Sequence, residues 1–194
     1  MQMISEDTSI IGSKFDAENY TIPLNLTDAA SNSRLFNSGE GKEWSVDVKT
    51  LVSGYPVTLN NHEHGVSVSD FKASDKLTDF FDLLSTNADR AGLEFVSSVE
   101  SKDPSDMIYA TQWHPEKNTF EYGVQPDIGV DAMAEDIDHS EQARRVTFEM
   151  ANFFVQQMQN DGKYEGAGFK VLALDESSGR IKGSSFEERL VFWN

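Results

Sequence analysis

Cysteine is absent from all 194 residues. Disulfides, zinc–thiolate sites and thiol nucleophiles are therefore excluded within this chain. There is also no run of about 18 apolar residues of the kind that crosses a bilayer as a helix. The opening residues, Met1-Gln2-Met3-Ile4-Ser5-Glu6-Asp7, contain neither a basic stretch nor a long apolar core, so they do not read as a signal peptide. Basic residues are scarce, with 16 Lys and Arg against 33 Asp and Glu and a net charge of −17. Nucleic acid and anionic membranes bind clustered cations, so neither is an expected partner. The acidity itself reads as a solvated surface. Histidine is limited to four residues, which leaves little material for a metal site.

What is present suffices for a core. Hydrophobic residues make up 38% of the chain, and 13 of them are Phe. This argues against disorder despite a mean hydropathy of −0.47. The length fits one domain over 1–194. Residues 37–43 read as a turn-rich loop. Trp44–Lys49 alternates as a strand, Pro56–Leu59 and Gly65–Val68 suggest two more, and Gly92–Val99 is rich in strand formers. The spacing of Leu77, Phe80, Phe81 and Leu84 predicts a helix over Ser74–Ser85, with Ser74 as N-cap. Asp103-Pro104-Ser105-Asp106 breaks the chain before a strand over Met107–Trp113. The longest predicted helix runs over Asp138–Asn160, with Asp138 and Glu141 as a capping box and Ala143, Val146, Met150, Phe153, Phe154 and Val155 as its apolar stripe. Asp161-Gly162 ends it, and Lys170–Leu174 and Arg189–Trp193 read as closing strands. Strands alternating with helices predict an α/β fold, and the short polar strands at 44–68 suggest antiparallel decoration.

Chemistry concentrates in Gln112-Trp113-His114-Pro115-Glu116-Lys117. In an extended segment, residues two apart project to one side, and Pro115 favours an extended His114. His114 and Glu116 can thus sit together at a strand end. An imidazole oriented by a carboxylate is the general-base half of a hydrolytic triad. The spacing alone is equally that of a solvated His beside a Glu. His62-Glu63-His64 could put two imidazoles on one strand face, but a transition metal needs three or four such ligands. His62 is as readily a locally bonded loop residue as a substrate contact. His139 belongs to the first turn of the long helix, in a local hydrogen bond, and Trp113 to packing.

Gln112–Lys117 resembles the segment that ends the catalytic strand of γ-glutamyl hydrolases, within the class I glutamine-amidotransferase-like group. The likeness extends to Ile22-Pro23-Leu24-Asn25-Leu26-Thr27, Ser33-Arg34-Leu35-Phe36, Asn61-His62 with Val66-Ser67-Val68, and Leu84-Ser85-Thr86-Asn87. It continues through His139-Ser140-Glu141, Ala151–Val155 and Ser184-Ser185-Phe186. The ordered set covers the chain from about residue 4 to its end.

The resemblance implies a flavodoxin-like three-layer sandwich, here without its amino-terminal strands. It implies cleavage of γ-glutamyl bonds in folylpoly-γ-glutamates or γ-glutamyl peptides by a Cys–His–Glu triad, with no cofactor and no metal. His114 would be the general base and acid, Glu116 its orienting partner, and His62 a residue near the substrate. The nucleophile has no matching position here, and residues 1–5 are similar to the later turns of the helix that follows it. A helical 1–5 with Met1 facing the site is therefore expected, with the cysteine about ten residues upstream. Two alternatives stay open: a pseudoenzyme whose unpaired sheet edge docks a partner chain or a second copy, and the glutaminase domain of an amidotransferase. The family's compartment is the lysosome, the vacuole or the exterior, where Asn19-Tyr20-Thr21 and Asn25-Leu26-Thr27 would be glycosylation sequons.

Overall fold

The computed structural model describes residues 1–37, 47–122 and 135–160, apart from the side chains of Ser13 and of 158–160. The chain opens with the short helix α1 (Gln2–Ser5), followed by strands β1 (Ser13–Ile22) and β2 (Asn25–Leu26), a 3-10 turn at Asp28–Asn32 and helix α2 (Arg34–Asn37). Helix α3 (Val48–Gly54), strand β3 (Thr58–Gly65) and helices α4 (Val68–Ala73) and α5 (Asp75–Phe80) come next. Strands β4 (Phe81–Ala88), β5 (Glu94–Ser101) and β6 (Tyr109–Thr111) lead to helices α6 (Lys117–Phe120) and α7 (Glu141–Asn160).

Two sheets form, β1–β3 and a four-stranded β2–β4–β5–β6, and every described pair is antiparallel. The architecture is mixed α and β. The larger sheet is covered on both faces. Leu84 meets α3 and α7 through Val48, Leu51, Val52, Val146, Met150 and Phe153. Phe81, Val96 and Val99 meet Phe71 of α4 and Leu77 of α5, with Ile4 of α1 packed alongside. Two register shifts make this possible: Leu84 is the extra residue between Leu83↔Val99 and Ser85↔Ser98, and Ser97 the extra residue before Thr86↔Val96. Val96 and Val99, three apart, then share one face.

Local sequence chemistry accounts for several departures from the sequence reading. Val48 and Lys49 are helical, not extended, because Asp47 caps α3: its side chain accepts from the Thr50 amide and hydroxyl. Val48, Leu51 and Val52 bury at helical spacing. One strand, β3, replaces the two expected at Pro56–Leu59 and Gly65–Val68. Gly65 ends it, and Ser67 caps α4 by accepting from the Asp70 amide at 3.0 Å. Ser74 caps α5 as expected, but that helix stops at Phe80. Residues 81–88 pair with β5 instead, and the bulge at Leu84 satisfies the three-residue spacing that resembled a helix. The regular part of the expected Met107–Trp113 strand is Tyr109–Thr111. Helix α7 is capped by Ser140, whose Oγ accepts from the Ala143 amide at 3.2 Å, while Asp138 holds Ser140 in place. Phe154, expected in the apolar stripe, is 63% exposed. Residues 38–43, the start of the predicted Trp44–Lys49 strand, Asp161-Gly162 and the closing strands at 170–174 and 189–193 lie outside the described residues.

Candidate functional site

The segment 109–118 joins the two sheets. Its first part pairs with β5, and the ladder extends one step through the Gln112 amide to Ser97 O at 2.8 Å. Its next free amide, on His114, donates to Leu59 O of β3 at 2.9 Å. Between them Trp113, 2% exposed, drives into the main core and donates from Nε1 to Ser98 Oγ at 3.0 Å. A buried Trp with its one donor satisfied is an anchor for the residues on either side of it. Beyond it, Thr147 of α7 donates to Pro115 O at 2.7 Å, and buried Asn118 donates to Val57 O at 3.1 Å.

His114 and Glu116 therefore emerge on a segment held at five points. His114 Nδ1 lies 2.8 Å from Glu116 Oε1, with side chains 36% and 64% exposed. The pair forms in a turn, not in the extended conformation the sequence suggested, because Glu116 adopts φ −78°, ψ −24° as the N-cap of α6. Burial alone would raise the Glu116 carboxyl, but the hydrogen bond with His114 and the nearby charge of Lys117 bring it below its ordinary value. An ionised carboxylate only accepts, so Nδ1 carries a proton, and in the neutral form of the ring Nε2 keeps the lone pair. That is the electronic state of a general base.

His62 sits in β3, opposite Ala17 of β1, and not in a loop. Its ring packs edge-on against Phe95 at 4.7 Å and Phe15 at 5.8 Å. Both ring nitrogens are buried and neither makes a well-formed hydrogen bond. Burial pushes this imidazole down to about 4; the charge of His114 adds to the effect, while the His64 backbone and Asp89 oppose it. The two histidines are thus electrostatic neighbours. His64, two residues on, is exposed, and among the described residues no three His, Asp or Glu side chains are grouped to hold a metal ion.

His139 makes its hydrogen bond across the fold to Asn118 O at 2.8 Å, rather than locally, and stacks on Tyr122 at 4.0 Å. A cavity of about 290 Å³ lies beside β6, bounded among others by Met1, Ile11, His64, Val66 and Gln112. Gln112 is two residues before His114, but His114 and Glu116 are not among the cavity walls. Residues 2–5 are helical, and Met1 lines this cavity.

Sequence reasoning missed the buried cluster beside the pair. Lys117 is 9% exposed, and its Nζ lies 2.5 Å from Glu135 and 3.2 Å from Glu121. Burial would lower this ammonium, but the two carboxylates hold it above its ordinary value. Glu135 also accepts from Asn61, the neighbour of His62. Lys117 was visible as part of the His-Pro-Glu-Lys run; nothing in the sequence around Glu135 signals its partner.

No family model matches the chain. Curated relatives do. It is 38% identical over 143 residues to gamma-glutamyl hydrolase B of Dictyostelium discoideum, covering 74% of this chain and 37% of that protein. It is 33% identical over 150 residues to gamma-glutamyl hydrolase of Mus musculus, covering 77% of this chain and 42% of that protein. With the Homo sapiens protein of the same name it shares 30% over 184 residues, 91% of this chain and 52% of that protein. The chain thus spans between about a third and a half of the length of these relatives, and within that span it belongs to the γ-glutamyl hydrolase family.

Proposed function

We propose that the complete protein hydrolyses γ-glutamyl bonds, in folylpoly-γ-glutamates or γ-glutamyl peptides, with His114 as general base and acid and Glu116 as its orienting partner. The observation that carries the reading is the 2.8 Å contact between His114 Nδ1 and Glu116 Oε1, in a chain whose relatives bear the name γ-glutamyl hydrolase. These 194 residues hold no thiol, so the nucleophile is a cysteine from outside them. His114 takes the cysteine's proton, and the resulting thiolate attacks the γ-carbonyl carbon. The tetrahedral intermediate collapses to a thioester as protonated His114 gives its proton to the leaving amine. Neutral His114 then takes a proton from water, which attacks the thioester and releases the γ-carboxylate and the thiol. His62, half-buried with both ring nitrogens out of water and neutral above about pH 4, forms an uncharged wall near the substrate. No metal or cofactor takes part.

The covering of the larger sheet on both faces supports a finer reading of the fold: one domain, the three-layer sandwich of class I glutamine-amidotransferase-like proteins, seen without the strands that would precede it. Among the described residues no strand pairs with the outer edge of β6. Further strands of the same domain, or a partner chain, would cover it. The family's compartment, lysosomal, vacuolar or secreted, follows the same proposal.

The test is the complete protein with a γ-glutamyl peptide and with free glutamine as competing substrates. Hydrolysis of the peptide, abolished by alkylating a thiol and lowered about 10²–10⁴-fold by His114→Gln, is expected. Turnover of glutamine alone would favour an amidotransferase glutaminase, and no turnover of either would favour a pseudoenzyme.

A further inference from the structure

We infer that Glu135 is a positioning residue for the two histidines, its carboxylate bridging Lys117 and Asn61 so that the His114–Glu116 turn is held against the strand that carries His62. The inference rests on the reading of His114 and Glu116 as the proton-transfer pair. Its starting point is an adjacency: Lys117 directly follows Glu116, and Asn61 directly precedes His62. Glu135 spends one oxygen on each: Oε2 lies 2.5 Å from Lys117 Nζ, and Oε1 accepts from Asn61 Nδ2. The bridge is buried, with Glu135 8% and Lys117 9% exposed.

The segment carrying Glu135 is itself pinned. The Asp136 amide donates to Asn19 Oδ1, Thr21 Oγ1 donates to Asp136 O, and the Asn19 amide donates to Asn61 Oδ1 at 3.1 Å. Asn19 makes these contacts from a left-handed backbone, φ 47°, which asparagine tolerates better than most residues. The carboxylate is thus tied to β1 and β3 at once. Only one other described hydrogen bond ties the 114–117 turn to β3, the His114 amide to Leu59 O at 2.9 Å. With Asn118 also donating to Val57 O at 3.1 Å just before β3, the bridge adds a further hold, two residues along β3 from Leu59.

The energetics favour registration over bulk stability. Desolvating a Lys and its carboxylates costs about as much as their attraction returns, and apolar residues of similar size often serve stability as well or better. What apolar residues cannot do is fix two donors, one from each segment, on one planar group.

The experiment reads the imidazoles directly, by NMR titration of the 194-residue chain. The groups facing His62 are His114, Asp89 and the His64 backbone. Wild type is compared with Glu135→Gln, which can satisfy only one of the two donors, and with the double variant Lys117→Met/Glu135→Met, which replaces the bridge by apolar contact and guards against simple unfolding. With the bridge lost, His62 gains water and loses its neighbour. Its midpoint should rise from about 4 by roughly one unit or more towards the ordinary histidine value. The further change in that midpoint on adding His114→Gln should shrink. Glu135→Asp, too short to span both donors, should fall between wild type and Glu135→Gln. If the variants melt earlier while the His62 midpoint and its dependence on His114 stay put, Glu135 is structural only and the inference is overturned. Failure of the proton-transfer reading would appear elsewhere, as wild-type His114 carrying its proton on Nε2, with the bridge intact.

Discussion

His114 and His62 are the same side chain in opposite surroundings. His114 is about one-third exposed and bonded to a carboxylate; His62 is packed edge-on against Phe95 and Phe15, with both nitrogens buried and no well-formed partner. Water and a carboxylate surround the first imidazole, which leaves its ring open to solvent and oriented through Nδ1. Burial denies the second its charged form until the pH approaches about 4. Two neighbouring histidines that titrated together would repel one another whenever both were charged. Pushing their environments apart lets one carry a proton while the other remains neutral.

The change that should disturb both together is Trp113→Ala. It empties the anchor between β6 and His114 and leaves Ser98 unpaired, at a cost of about 3–5 kcal/mol; urea unfolding of the chain measures it. The next separates them. His62 has a folded value well below its unfolded one, so the unfolded chain binds the proton first as pH falls. Its effect on stability is nil above about pH 6.5, then grows as a loss down to about pH 4. The loss should reach of order 2–3 kcal/mol, the upper range for a shift of this size. His62→Phe should flatten the dependence of the melting temperature on pH in that window.

Thr147→Val should cost about 1–2 kcal/mol, because Pro115 O loses its donor; if the turn loosens, the His114 ring resonances move while those of His62 move less. Glu116→Gln is the mildest for the fold, roughly 0–1 kcal/mol, since the pair is exposed to water. Calorimetry should show an almost unchanged melt while the His114 ring resonances move.

How much of this was legible in the sequence depended on whether a signal was local. Ser74, Gly92–Val99 and the body of α7 declared themselves through caps and periodicity. Residues 81–88 did not, because a bulge at Leu84 mimics helical spacing and only pairing with β5 decides the matter. Asp47 with Val48, Leu51 and Val52 was a readable helix start that the alternation of Trp44–Val48 obscured. At the site, the His114–Glu116 pairing was legible from spacing and the conformation that produces it was not: Glu116 turns into α6, and the hydrogen bond forms across that turn. His62 was visible as a histidine but not as one whose ring nitrogens are shut off from water, since its neighbours Phe15 and Phe95 are 47 and 33 positions away. The Glu135 bridge joins positions 61, 117 and 135, a separation at which no pattern in one sequence operates.

The most direct measurement is the tautomer of His114, read from a long-range ¹H–¹⁵N spectrum of the nitrogen-labelled chain at neutral to mildly alkaline pH. A carboxylate at Nδ1 fixes the proton there, so neutral His114 should show a protonated Nδ1 and an unprotonated Nε2, and Glu116→Gln should weaken that preference. A proton resident on Nε2, indifferent to Glu116, would contradict the assignment of His114 as a base oriented by its neighbour.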